Sequence, residues 1–227
     1  MSTSHAITLF WQSRTRVFDL DGTLVDTLPD LLEALNLALA DLHLPEVNGG
    51  LVQASLHGGL EGSASAALRF HHAPEHLHTQ LVARYERYYQ AVSGTGARPY
   101  AGVTSLLQML AQRGEKPAVC TNKTQDRAVE LLQSLGLLDH IATVVGADTC
   151  ARRKPYPDPL LHALGLIGGE PASSVLVGDS ALDVQCAHAA RVPCLFFASG
   201  YGRAEEIDAG PGLLQFGAYQ ELLDRQE

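Results

Sequence analysis

The stretch Val17-Phe18-Asp19-Leu20-Asp21-Gly22-Thr23-Leu24-Val25-Asp26-Thr27 decides how this chain reads: an apolar strand end runs into two carboxylates at i and i+2, then a glycine and a hydroxyl. Residues i and i+2 of an extended segment point the same way, so Asp19 and Asp21 can share a space while Leu20 points elsewhere. A structural turn gains nothing from two mutually repelling acids at the mouth of a strand, so the pattern reads as a site. Phosphoryl transfer fits it. One carboxylate can attack phosphorus, and the other can protonate the leaving oxygen and then deprotonate the attacking water. Both face an anionic substrate, so a hard cation such as Mg2+ is expected to offset the repulsion. Gly22 allows a sharp turn and close approach of backbone amides to phosphate oxygens.

Working outward, residues 14–18 form the expected first strand, although Arg16 is odd for a strand buried on both faces. Asp26 or Thr27 can cap the next helix, Pro29 suits its first turn, and Leu28, Leu31, Leu32, Leu35, Leu39 and Leu42 make a helical apolar stripe. Residues 48–62 are a glycine-rich break, and 64–70 and 74–92 read as two more helices. Ser93-Gly94-Thr95-Gly96 then reads as a flexible joint. The expected organisation is an α/β core of residues 1–27 and 93–227 with an all-helical insert at 28–92.

After the joint the texture alternates. Helices at 103–112, 124–135, 159–165 and 181–190 interleave with strands at 117–120, 141–145, 174–177 and 193–197, which implies a Rossmann-like parallel sheet. Ligands in such sheets bind at the carboxyl ends of the strands. Asp19, Thr121-Asn122, Lys154 and Gly178-Asp179-Ser180 all fall there in sequence. Thr121 and Asn122 can hydrogen-bond phosphate, Lys154 can neutralise it, and Asp179 with Asp19 can hold a magnesium ion.

Composition bounds the partners. The chain has 227 residues, 46% of them hydrophobic, and a formal net charge of -9, which argues for a globular core and against a nucleic-acid or membrane-surface binder. Arg152-Arg153-Lys154 therefore suits a small anion. No apolar run reaches the ~18 residues of a membrane span, and residues 6–11 are too short for a secretory leader, so a cytoplasmic location is expected. Cys120, Cys150, Cys186 and Cys194 lack metal-ligand spacing and read as reduced packing residues. His57, His71, His72, His76 and His78 cluster in the insert, but Pro74 breaks regular ligand spacing, so they read as solvated helix residues and not as a zinc site.

FDLDGTLVDT, TNK, KPYPDPLL, VGDSALDV and RPYAGV, spread over residues 14–202, resemble the haloacid dehalogenase superfamily (HAD fold), and among its members the bacterial phosphoglycolate phosphatases most closely. The resemblance implies Asp19 as the nucleophile that becomes an aspartyl-phosphate and Asp21 as the general acid and base. It also implies Lys154 beside both phosphate and nucleophile, Mg2+ held by Asp19, Asp179 and the Asp21 backbone, and Asp183 one shell out. The insert would be a closing cap, whose Ser55–Glu61 loop, with His57, Gly58 and Gly59, would reach a small substrate such as 2-phosphoglycolate. A helix start explains that Gly-Gly pair equally well. Arg16 and residues 51–67 depart from the usual pattern. A dehalogenase has no leaving oxygen to protonate and needs no acid at Asp21. A phosphomutase of the same fold and a non-catalytic phosphate-binding module are the alternatives.

Overall fold

The computed structural model describes residues 3–203 and 213–224, without the side chains of residues 3 and 57. The chain forms two compact units: Met1–Val25 with Pro99–Glu227, and Asp26–Arg98.

The first unit opens with helix α1 (Thr3–Gln12) and strand β1 (Thr15–Phe18). Two short strands, β2 (Val25–Asp26) and β3 (Arg98–Pro99), form a separate ribbon. Between them in sequence lie helices α2 (Leu28–Ala40), α3 (Gly49–Ser55), α4 (Gly59–Phe70) and α5 (His78–Val92). The alternating part follows: α6 (Val103–Gln112), β4 (Ala118–Cys120), α7 (Gln125–Ser134), β5 (Thr143–Val145), α8 (Asp158–Leu166), β6 (Ser174–Gly178), α9 (Ala181–Ala190) and β7 (Cys194–Phe197). Strand β8 (Leu214–Phe216) and helix α10 (Tyr219–Leu223) complete the described chain.

Among the described residues the sheet has six strands in the order β5-β4-β1-β6-β7-β8, every neighbouring pair parallel. The chain leaves β1 to build one side through β4 and β5, then returns to build the other through β6, β7 and β8. β1 thus sits where the winding reverses, and its carboxyl end opens at the switch point where such sheets bind ligands. Its neighbours explain the apolar runs in the sequence: Val17, Phe18, Val119, Cys120, Leu176 and Val177 are all fully buried, as expected for parallel strands covered on both faces.

Arg16 has a specific reason to be in β1. Its guanidinium is buried, donates to the carbonyls of Phe10 and Trp11 at the end of α1, pairs with Glu115, and stacks on the Phe10 and Trp11 rings. A cation at a helix C-terminus satisfies orphan carbonyls and faces the negative end of the dipole. The residue that looked out of place fastens α1, an element absent from the sequence reading, to the sheet.

The second unit is helical. Thr27 stands at the N-cap of α2 without a side-chain cap bond, and Asp26 Oδ1, one residue before it, accepts the Leu28 amide at 3.1 Å. Leu31, Leu35 and Leu39 of the apolar stripe meet Leu81, Tyr85 and Tyr89 of α5 in one core. The glycine-rich break hides α3, whose first turn is Gly49-Gly50 capped by Asn48. Gly59, at φ 64°, begins α4, so a helix start accounts for that half of the Gly58-Gly59 pair.

The segment read as a flexible joint is pinned. Asp30, fully buried, accepts the amides of Gly94 and Gly96 at 2.6 Å and of Ala97 at 3.0 Å. A Cβ on Gly96 would lie 2.8 Å from Asp30 Oδ1, so glycine is what lets the loop come this close. Asp30→Ala strands three amides and is expected to cost about 2–4 kcal/mol in chemical denaturation. A loss below about 0.5 kcal/mol, the size of an ordinary surface substitution, would show that the joint is held by something else.

Candidate active site

Backbone pairing carries each candidate residue to the same sheet edge. The Asp19 amide donates to the Val177 carbonyl at 2.8 Å, one residue past β1, and the Thr121 amide donates to Val145 at 3.0 Å, one residue past β4. After Asp19 the chain folds tightly: the Leu20 carbonyl accepts the amides of Leu24 and Val25 at 2.9 and 3.0 Å. Gly22 sits in this turn at φ 80°, and a Cβ there would come within 2.4 Å of Asp179 Oδ2. Only glycine meets both the dihedral and the space.

The centre is an ammonium between carboxylates. Lys154 Nζ lies 2.8 Å from Asp19 Oδ1 and 2.6 Å from Asp183 Oδ1. Burial lowers the Lys154 pKa, but Asp183 and Asp19 outweigh it and hold the group well above its ordinary value. Asp183 in turn closes a capping box: its Oδ2 accepts the Ser180 amide and hydroxyl while the Ser180 side chain accepts the Asp183 amide. Asp183 therefore orients Lys154 and seats α9 at the same time.

Asp179 is enclosed by backbone. Its Oδ1 accepts the Thr23 hydroxyl at 2.7 Å and its Oδ2 the Tyr201 amide at 2.7 Å. A Cβ on Gly200 would fall 2.3 Å from Asp179 Cβ, and one on Gly202 would fall 2.1 Å from its carbonyl oxygen. The turn after β7 thus closes over Asp179. From α10, the buried Tyr219 hydroxyl donates to the Thr23 carbonyl at 3.0 Å and fixes the residue that holds Asp179.

Asp19, Asp179 and Asp183 each offer a carboxylate oxygen, all within 4.8 Å of one another and all buried. The negative charge is in excess. Burial first, then Asp183 and Asp179, push the Asp19 carboxyl up to about 8 against the opposing pull of Lys154. Burial, then Asp183, push Asp179 up to about 7 although Thr23 and Tyr201 oppose it. Hard oxygen donors that repel one another in this way fit a hard divalent cation.

Asp19, Thr121, Asn122, Lys154, Asp179 and Asp183 are thus gathered at one edge, with Asp21 in the turn beside them. The Asn122 side chain spends a donor on the Lys154 carbonyl at 3.0 Å, tying the second loop to the third. Thr121 Oγ1 accepts the Lys123 amide at 3.2 Å. Lys123, a residue the sequence reading passed over, lies 3.0 Å from Asp21 Oδ2. Thr23, Ser180, Tyr201 and Tyr219 were also passed over as supports. The repeated glycines of Ser199-Gly200-Tyr201-Gly202, directly after a strand, were the available signal for one of them. Gly58 and Gly59 are exposed, with open space where a Cβ would be, and the His57 side chain lies outside the described residues.

The four cysteines are free thiols. Burial pushes Cys186 up to about 12 and also raises Cys120 and Cys194, so these three are poor nucleophiles and serve packing. Among the described residues no helix is long and apolar enough to cross a membrane.

A family model described as haloacid dehalogenase-like hydrolase matches residues 16–197. The chain is 42% identical over 200 residues to a phosphoglycolate phosphatase of Rhodospirillum rubrum, covering 86% of this chain and 83% of that protein. It is 39% identical over 197 residues to a plasmid phosphoglycolate phosphatase of Cupriavidus necator, covering 86% and 82%. A crystal structure of a predicted phosphoglycolate phosphatase from Haemophilus somnus matches with a TM-score of 0.83 at 28% identity, covering 93% of this chain and 97% of that one. With its parallel sheet, its carboxylates at the switch point and these relatives, the chain belongs to the haloacid dehalogenase-like hydrolases and is a phosphatase among them.

Proposed function

We propose that this enzyme is a Mg2+-dependent phosphatase that hydrolyses a small phosphorylated metabolite, 2-phosphoglycolate, through an aspartyl-phosphate on Asp19. The carrying observation is the buried Lys154 ammonium 2.8 Å from Asp19, beside carboxylates that repel one another. The names of the R. rubrum and C. necator relatives support the substrate.

In the first half-reaction an Asp19 carboxylate oxygen attacks phosphorus, the phosphorus–ester oxygen bond breaks, and Asp21 gives its proton to the departing alkoxide. In the second, Asp21 takes a proton from water as that water attacks the aspartyl-phosphate, which releases inorganic phosphate and restores the Asp19 carboxylate. Lys154 holds Asp19 in place, offsets phosphate charge, and is itself oriented by Asp183. Thr121 and Asn122 bind phosphate oxygens. Asp19, Asp179 and the main-chain carbonyl of Asp21 would hold the Mg2+, whose chemistry is to neutralise negative charge shared by phosphate and carboxylates. A soluble metabolite as substrate and free cysteines fit a cytoplasmic location.

Phosphate release from a panel of phosphorylated metabolites tests the proposal. Release from 2-phosphoglycolate that needs Mg2+ and stops with a chelator is the expected result. Release only from other esters would overturn the substrate, isomerised product without release would indicate a mutase, and no turnover at all would indicate a binding module.

Metal linkage gives a second expectation. Folding raises the Asp19 and Asp179 pKa values to about 8 and about 7, so the native state binds more protons than the unfolded state. The metal-free fold therefore loses stability as pH rises from the ordinary carboxylate range through 8. Mg2+ binds the ionised forms, so its thermal stabilisation should be larger at pH 8 than at pH 5.5. An equal shift at both would place the cation away from these carboxylates.

A further inference from the structure

Two lysines reach the candidate site, and the proposed chemistry uses only one. Lys123 leaves the end of β4 with its backbone held at both ends: its amide donates to Thr121 Oγ1 at 3.2 Å and its carbonyl accepts the Ala147 amide at 2.9 Å. Its side chain is 8% exposed, and its ammonium lies 3.0 Å from Asp21 Oδ2. An ammonium taken this far from water is costly without a partner, whereas exposed ion pairs of surface residues contribute little. The pair is therefore unlike the solvated Arg87–Asp41 pair, whose side chains are 66% and 36% exposed.

The two oxygens of Asp21 are differently placed. Oδ2 faces Lys123, while Oδ1 is buried and has no hydrogen-bond partner among the described residues. An aspartate whose side chain is 27% exposed would otherwise rotate freely about χ2, a broad two-fold torsion. A proton donor acts only from within hydrogen-bond reach of the atom it serves, so holding one oxygen fixes where the other points. Asp19 is held by Lys154 from the loop after β5, and Asp21 by Lys123 from the loop after β4. Each carboxylate of the pair has an ammonium of its own.

We propose that Lys123 is a positioning residue: it grips Asp21 Oδ2 and so fixes the orientation of the carboxyl group that gives a proton to the leaving oxygen and later takes one from water. This rests on the acid and base role given to Asp21 above. It has a consequence that ordinary structural support lacks. Loss of Lys123 should matter in proportion to how badly the leaving group needs a proton.

The test compares kcat/KM, which reads the first half-reaction, for an alkyl phosphate and for 4-nitrophenyl phosphate, whose phenolate leaves without much help. Four proteins are used: Lys123→Met, Asp21→Asn, the double variant and Lys123→Arg, with circular dichroism to confirm folding. Asp21→Asn should lose about 10²- to 10⁴-fold on the alkyl ester and far less on the aryl ester. Lys123→Met should show the same selectivity at smaller size, tenfold or more on the alkyl ester and under threefold on the aryl ester. In the Asp21→Asn background it should have no further effect, because its target is gone. Lys123→Arg should recover most of the loss.

Equal losses on both esters in Lys123→Met, with weaker competition by inorganic phosphate, would make Lys123 a phosphate ligand and overturn the proposal. So would losses that multiply in the double variant. If Asp21→Asn itself lost equally on both esters, the acid role of Asp21 would fail and Lys123 would fall with it, an outcome distinct from the first two. If Lys123→Met failed to fold, full activity on both esters in Lys123→Gln, which keeps a donor without the charge, would equally overturn the ion-pair grip.

Discussion

Asp19→Asn should lower turnover of any phosphate ester by about 10⁴-fold or more, since comparable losses follow removal of an attacking group elsewhere. The amide is a poor nucleophile, and the two buried carboxylates nearest it are already engaged. Asp183 is committed to Lys154 and Ser180, and Asp179 to Thr23 and Tyr201. The fold should survive, because the Asn carbonyl can still accept from Lys154 and the Asp19 amide still extends the ladder with Val177. Stability at pH 8 should equal or exceed that of the parent. The substitution removes a buried charge whose carboxyl is already pushed up to about 8. Activity within tenfold of the parent would refute the covalent route, and a collapse in stability would show that Asp19 holds the sheet edge together.

Lys154→Met should damage both fold and function. The side chains are similar in length, so the change isolates the charge. It leaves Asp19 and Asp183 buried beside each other without their cation, and breaking a buried pair from one side costs about 3–5 kcal/mol. The carboxylates can escape by taking up a proton, so the loss should be smaller at pH 5 than at pH 8. Lysine itself stays protonated across that range, since its partners hold its pKa well above the ordinary value. Catalysis should fall on aryl and alkyl phosphates alike, in contrast to Lys123→Met, because Lys154 faces Asp19, the proposed nucleophile, and not Asp21, the proposed acid. Urea unfolding at the two pH values, with phosphate release on both esters, checks this. A pH-independent loss, or one confined to alkyl esters, would contradict the placement of the ammonium.

The sequence was most legible where chemistry and topology coincide. Two carboxylates after an apolar strand, and polar residues recurring after the later strands, point to Asp19, Thr121, Asn122, Lys154 and Asp179, because parallel strands put their carboxyl ends on one edge. What stayed hidden depends on partners remote in sequence. Arg16 looked anomalous because the helix whose end it binds, α1, was not expected from the sequence. Tyr219 supports Asp179 across the fold without any motif, and the Gly200 turn is marked only by its repeated glycines. The Ser93–Gly96 joint looked flexible because composition shows glycine and serine but not Asp30, which arrives from another helix to bind it. Lys123 was in plain view in Thr121-Asn122-Lys123, yet only geometry separates a lysine that meets Asp21 from one in solvent.

The most direct test is to trap the intermediate. The enzyme is mixed with 2-phosphoglycolate and Mg2+, quenched in acid within the first turnover and reduced with borohydride, which converts an acyl phosphate to an alcohol that peptide mass spectrometry can locate. The expected result is a single reduced aspartate at position 19, absent from Asp19→Asn and absent when substrate is withheld. Reduction at Asp21, Asp179 or Asp183 in place of Asp19, or turnover with no trapped aspartate at any quench time, would contradict the assignment of Asp19 as the nucleophile.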